Sequence, residues 1–326
     1  MGSLNMMILY VFTFWWSLSV FSDFLLWVGL SLNLIFFLFI FMNFFWGLSS
    51  LVPMIYYYVV QSISSLLFLI FSQTNYVWAP IFFLSIFFLK SSLVPMHNWF
   101  VKSSKMAGWK FFASISSLQK GLPVYFIIMW CKEFPACYFW SFHKPIMYGL
   151  LLSFFLGGLS PLFSGNLFEI LIYSSINVGA WLVLIGSLKL SLLASFIFVY
   201  FMVLTGFFSS KSMPIKMLKD KALSFSILIG ISLMVLSGFP LSPIFLFKIL
   251  AVLFLVKHGM MLFVFLSFLL SSISYFFYFK VMMFYSTLWV WLCLSENPTK
   301  IFFVRYGLFF LLLGIMTFQI LGTSLF

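Results

Sequence analysis

Runs of apolar residues follow one another along the chain, parted by short clusters of serine, glycine, proline and lysine. A bilayer about 30 Å thick is crossed by roughly 20 residues of helix, which is the scale of these runs. They predict passages over residues 6–20, 24–44, 51–71, 77–100, 109–131, 146–163, 167–186, 190–208, 222–256, 260–287 and 304–325. Strand-like alternation is missing, which argues against a barrel. The chain reads as an all-α polytopic membrane protein of about 11 transmembrane helices, forming one transmembrane domain over residues 1–326.

Two passages carry interruptions. The ninth contains Ser237-Gly238-Phe239-Pro240-Leu241-Ser242-Pro243 and is too long for a straight span, so it is either one broken passage or two helices, about 11 or 12 in all. The fourth contains Ser91-Ser92-Leu93-Val94-Pro95-Met96-His97-Asn98-Trp99. Proline removes a backbone donor and frees a carbonyl, and in a membrane such a break survives only against protein or water. Many transporters place ion sites at breaks of this kind.

Three lysines lie inside the apolar runs: Lys90, Lys120 and Lys248. Each costs roughly 2.5 to 3.5 kcal/mol at the centre of a bilayer, so each needs a compensating reason. Lys90 and Lys248 stand beside the two interruptions. Lys120 follows Ser116 and Ser117 by one helical turn, close enough for a hydrogen bond or a shared water, with Trp109 and Cys131 bracketing it near mid-span. The bland alternative for Lys120 is a side chain snorkelling to the interface; for His97 and Trp99 it is a place in the headgroup belt. An amine withdrawn from water releases its proton more readily, so buried lysines with hydroxyls and waters between them suit a lateral proton relay. His97, Ser31, Ser116 and Ser117 are candidate relay groups.

Composition narrows the class further. Apolar residues make up 64% of the chain, charged residues 7%, and phenylalanine alone supplies 50 of the 326 positions, far too little charge for a water-facing exterior. The net charge of +12 could suggest nucleic acid, but outside the three lysines the basic residues lie mostly in short connections, where they orient the chain and meet phospholipid headgroups. Cys131, Cys137 and Cys293 have no metal-ligand spacing and are odd in number, so no metal site or disulfide framework is indicated. The first span reads as retained rather than cleaved. With Arg305 as the only arginine, no arginine-rich import signal is present, and insertion by a bacterial-type system or synthesis inside an organelle is expected.

Five segments in order then carry a resemblance. They are Trp27-Val28-Gly29-Leu30-Ser31-Leu32-Asn33; Phe88-Leu89-Lys90 through Trp99; Ser117-Leu118-Gln119-Lys120-Gly121-Leu122-Pro123; Gly157-Gly158-Leu159 with Ile170 through Trp181; and Ser237 through Lys248. Together they resemble the subunit 2 family of mitochondrial NADH:ubiquinone oxidoreductase, respiratory complex I, over residues 27 to 285. The resemblance implies an antiporter-like, inverted-repeat fold with two discontinuous helices, N-terminally shortened relative to bacterial relatives. It implies a membrane-arm subunit that takes part in proton translocation, driven by electron transfer from NADH to ubiquinone elsewhere in the complex. Such a subunit binds no cofactor itself; NADH, FMN, iron-sulfur clusters and ubiquinone belong to other subunits. Its partners are neighbouring antiporter-like and small core subunits of the membrane arm, and phospholipids. Lys90, Lys120 and Lys248 match the family's proton-translocation lysines.

Two departures stand out. Where the family's second helix usually carries a glutamate that partners the first lysine, this chain has Ser31. Glu169 stands where the family tends to have a basic residue. Glu169 and Asp23 both lie at predicted helix starts, where the helix dipole favours an acid, so both are expected at the interface. Lysines in connections after even-numbered passages, Lys102, Lys105, Lys211, Lys216, Lys219, Lys221 and Lys300, outnumber Lys132, Lys144, Lys189 and Lys257 after odd ones. The positive-inside bias then puts the N-terminus in the matrix and the C-terminus in the intermembrane space of a mitochondrial inner membrane. The rival readings are a stand-alone cation/proton antiporter, which would need mid-span acids, and a structural membrane-arm scaffold.

Overall fold

Helices form where the apolar runs lie, and three of them carry a proline inside, Pro53, Pro123 and Pro145. The computed structural model describes residues 2–19, 22–44, 48–72, 79–133, 136–164, 166–211, 232–236, 238 and 242–293. Among the described residues every regular element is helical. In order these are α1 (Gly2–Ser19), α2 (Asp23–Phe44), α3 (Leu48–Ser72), α4 (Ala79–Ser91) and α5 (Asn98–Ala107). Next, α6 (Trp109–Ser114), a π-helical turn (Ile115–Gln119) and α7 (Lys120–Glu133) succeed one another without a break. Then come α8 (Ala136–Leu159) with a 3-10 turn (Ser160–Phe163), α9 (Leu167–Leu188) and α10 (Leu190–Lys211). A short helical piece at 232–236 precedes α11 (Pro243–Lys257) and α12 (Met261–Cys293).

Six stretches among the described residues are long and apolar enough to cross a membrane: Asp23–Met42, Leu51–Ser72, Phe111–Met129, Pro145–Phe163, Phe168–Leu188 and Met261–Tyr278. Met6–Ser17, Phe82–Ser91 and Leu190–Gly206 are shorter apolar helices. The passage expected over 77–100 divides into α4 and α5, as its proline and serines predicted. The passage expected over 304–325, and the start of the one expected over 222–256, lie outside the described residues.

The chain gathers into two compact units. One holds Met1–Leu156 with Leu171–Val183, the other Gly157–Ile170 with the residues from Leu184 onward.

In the first unit, α3 shows why the fold suits lipid rather than water. Its outer face carries Val52, Ile55, Val59, Ile63, Leu66 and Ile70, all exposed, whereas Gln61, Ser64 and Ser65 are buried with Met54, Tyr57 and Phe68. Polarity is turned inward, the reverse of a soluble amphipathic helix. The serine hydroxyls spend their donors within the helix, Ser64 on the Gln61 carbonyl at 2.7 Å and Ser65 on the Ser62 carbonyl at 2.8 Å.

Lipid tails are as apolar as leucine, so helices in a membrane hold together by close packing and hydrogen bonds rather than by exclusion of water. Aromatic edges supply much of that packing here. Phe111 meets Phe41 edge-on at 4.7 Å and Tyr57 at 5.8 Å, and Tyr57 contacts Phe37 at 5.6 Å and Trp99 at 5.7 Å. This cluster joins α2, α3, α5 and α6, with each such pair contributing about 0.5–1.5 kcal/mol beyond area burial. In the second unit the fully buried Phe196 and Phe247 pack edge-on at 5.4 Å and tie α10 to α11.

Candidate functional site

Lys90 sits in the last turn of α4, where the negative end of the helix dipole favours a cation. The turn after it is closed by hydrogen bonds rather than left open. The Leu93 N–H donates to the Phe88 carbonyl at 2.9 Å and the Ser92 N–H to the Leu89 carbonyl at 3.3 Å, the paired pattern of a Schellman cap. That cap demands a left-handed residue, and Ser92 supplies it at φ 59°, at a cost of roughly 1–2 kcal/mol for a residue with a side chain. The Trp99 indole reaches back from α5 and donates to the same Leu89 carbonyl at 2.8 Å. Ser91 donates to the Phe87 carbonyl at 2.7 Å, so the end of α4 is hydrogen-bonded as far as Leu93.

The Lys90 side chain is buried, at 6% exposure, and borders a cavity of about 20 Å³. The cavity is lined by Leu30, Asn33 and Leu34 of α2, Tyr57, Gln61 and Ser65 of α3, and Gln119, Leu122 and Pro123 beside the π turn. Among the described residues no carboxylate lines it. Ser31 does not line it either; its hydroxyl is turned onto the Val28 carbonyl at 2.9 Å. Its polar lining is three amides, the Tyr57 and Ser65 hydroxyls and Lys90 itself; Gln119 Nε2 donates to the Tyr10 hydroxyl at 3.3 Å and to Asn33 Oδ1 at 3.4 Å.

Lys120 opens α7 immediately after the π turn. Pro123, inside α7, cannot donate to the Gln119 carbonyl, and its ring would clash with that carbonyl in a regular helix. The wider π turn ends at that residue, and absorbing a proline in this way is a recognised cause of helix distortion. Lys120 is 1% exposed. Its Nζ donates to the Ser175 carbonyl of α9 at 2.9 Å and lies 4.4 Å from the centre of the Phe100 ring. Both partners are neutral; a ring face over a desolvated cation contributes about 2 kcal/mol. Gly179 makes room, since a Cβ there would lie 3.7 Å from Lys120 Nζ and 3.3 Å from a Leu93 methyl.

Lys248, in the other unit, stands in the second turn of α11. That helix starts on a Ser242 cap, whose hydroxyl accepts from the Phe245 N–H at 3.3 Å, with Pro243 at the first position. The Lys248 amine folds back over Gly238, at φ +80°, where a Cβ would come within 2.9 Å of Nζ. Lys248 is partly exposed, unlike the other two.

The candidate relay groups fare differently. Ser116 and Ser117 are fully buried, but their hydroxyls donate to the Ala113 carbonyl at 3.2 Å and 2.6 Å, and the bond that Lys120 makes is to Ser175. A buried hydroxyl on a helix finds its own preceding carbonyl first. His97 precedes α5, and its carbonyl accepts from Phe100 and Val101; none of the hydrogen bonds among the described residues joins its ring to a lysine. Asp23 and Glu169 occupy the first turns of α2 and α9, Asp23 exposed and Glu169 partly exposed, as their helix-start positions predicted.

Four groups at the site carried no assigned role in the sequence: Asn33, Gln61, Gln119 and the Ser175 carbonyl. Gln61 with Ser64 and Ser65 forms an i, i+3, i+4 polar stripe inside an apolar run, a visible signal. A backbone carbonyl has no signature at all.

No family model and no curated protein sequence matches the chain. Solved structures do match. A chain of the membrane-bound sulfane sulfur reductase, an archaeal respiratory membrane complex, superposes with a TM-score of 0.75 at 16% identity, over 98% of this chain and 74% of that one. A chain of respiratory complex I from Thermus thermophilus, solved with bound aureothin, gives 0.73 at 16% identity over 97% and 78%. A chain of the Mrp complex from Dietzia sp. DQ12-45-1b gives 0.67 at 14% identity over 85% and 59%. At these identities the likeness speaks for architecture, and with the apolar spans it makes this chain a multi-pass membrane protein with the antiporter-like fold that chains of these membrane complexes share.

Proposed function

We propose that this chain is a membrane-arm subunit of respiratory complex I, in which Lys90, Lys120 and Lys248 take part in moving protons across the mitochondrial inner membrane. The observation that carries the reading is Lys120: a buried amine at the mouth of a π turn, held by a carbonyl and a ring face. A charged partner would pin such an amine in one protonation state, whereas neutral partners leave it free to exchange. Lys90 and Lys248 support it, Lys90 in the last turn of α4 and Lys248 with its amine folded over Gly238. The fold likeness to a chain of complex I supports it too, as do the five ordered sequence segments.

In this reading the chain holds no redox centre. Electron transfer from NADH to ubiquinone occurs in other subunits and drives the lysines through conformational change. The N-terminus faces the matrix and the C-terminus the intermembrane space. Neighbouring antiporter-like and small core subunits cover part of its apolar surface and phospholipids the rest.

The test is isolation from native membranes in mild detergent, with identification of the proteins that travel with the chain. Migration with an assembly that oxidises NADH and reduces ubiquinone is expected. A chain that runs alone sinks the assignment and leaves the stand-alone antiporter.

A further inference from the structure

We infer that Phe100 is a positioning residue for Lys120, its ring face holding the charged form of that amine and releasing the neutral form. Lys120 Nζ lies over the ring, 4.4 Å from its centre, and donates to the Ser175 carbonyl at 2.9 Å. The two partners differ in what they recognise. A carbonyl accepts a hydrogen bond from an ammonium or from a neutral amine, whereas the negative face of a ring attracts the cation. Gain or loss of one proton therefore changes the ring contact and leaves the hydrogen bond available.

The ring is held in place from both sides. Phe100 is fully buried, and its ring meets Trp99 edge-on at 5.9 Å and Phe112 of α6 at 6.0 Å. The Phe100 N–H donates to the His97 carbonyl at 3.0 Å, and the neighbouring Trp99 indole ties the same helix to the Leu89 carbonyl, next to Lys90. Around the amine there is more room, because Gly179 leaves free the place where a Cβ would lie 3.7 Å from Nζ. The amine rather than the ring is the moving part.

Burial makes the ring matter. Lys120 is 1% exposed, and a buried charge is costly without compensation. A leucine at position 100 would supply apolar packing but no negative face. Because α5 begins after the break that follows Lys90, a proton leaving Lys120 releases a contact to the helix that is tied back to the turn of Lys90.

The experiment places Phe100→Leu and Phe100→Tyr in the whole assembly, each beside Lys120 and beside Lys120→Met, which keeps an unbranched apolar stem and removes the charge. In thermal melts, Phe100→Leu is expected to lower the midpoint by roughly 2–4 °C more beside Lys120 than beside Lys120→Met. Equal losses in the two backgrounds reduce the ring to packing and overturn the inference. Proton pumping per NADH oxidised is expected to fall about tenfold in Phe100→Leu and to stay near the parent in Phe100→Tyr, which keeps a ring face. Unchanged pumping in Phe100→Leu, where Lys120→Met abolishes it, overturns the positioning role. A Phe100→Tyr assembly that melts like the parent yet pumps like Phe100→Leu does so too. The positioning role rests on the function proposed above, but the ring contact does not. Pumping untouched by Lys120→Met would overturn that function for Lys120, and the melts would still decide the contact.

Discussion

Lys120 has surroundings that separate a structural amine from a working one. Removing it leaves the Ser175 carbonyl to its own helix and strands no opposite charge, so the cost to folding is small. Lys120→Ala is therefore expected to assemble normally yet lower coupled proton pumping at least about tenfold, as loss of a proton-transfer group does; unchanged pumping in an intact assembly would remove it from the path. Trp99 is the opposite case. Trp99→Phe keeps a ring beside Tyr57 but withdraws the indole N–H from the Leu89 carbonyl, which retains the Ser92 N–H, and a thermal melt should show a loss of about 0.5–1.5 kcal/mol. Gly238 combines both kinds of effect. Gly238→Ala forces a side chain into φ +80° and against Lys248 Nζ, so lower stability and displaced Lys248 should appear together in melts and maps of the variant. These three differ in how far the sequence disclosed them. A lysine in an apolar run announces itself, whereas the indole's target is a carbonyl ten residues away.

At the scale of elements, the interruptions matter more than the helices. The break after α4 was legible because Ser91, Ser92 and Pro95 stand together, but its closure by a left-handed serine and a returning indole was not. The π turn left no comparable mark, although Pro123 is its cause. Pro123→Ala removes the reason for the wide turn and should let it close into regular helix. Closing it withdraws one residue from the turn and rotates the rest of α7 by roughly 100°. Lys120 would then lose the Ser175 carbonyl, and pumping should fall while the assembly persists. Retained pumping with a regular helix in the map would show that the π turn is incidental. The serine pair before Lys120 marks the limit of spacing arguments. Ser116 and Ser117 are correctly one turn back, yet the carbonyl of Ala113 claims both hydroxyls.

For the whole molecule, charge placement predicts orientation. Lys102 and Lys105 are exposed on α5, so a membrane-impermeant amine reagent should label them from the matrix side and not from the intermembrane space. Labelling from the other face alone would invert the topology. The multi-pass membrane class and the helix positions among the described residues were legible in the sequence, as was the place of the three lysines within apolar runs, because in lipid every backbone group must be paired within its own segment and length and apolarity set the passages. Tertiary structure decided what each lysine meets. The carbonyl and ring around Lys120, the amide-lined cavity beside Lys90 in which Asn33 rather than Ser31 takes part, and the glycine beneath Lys248 depend on which helix faces are brought together. That choice comes from shape-matched packing between faces of nearly equal hydrophobicity, and no local pattern along one segment encodes it.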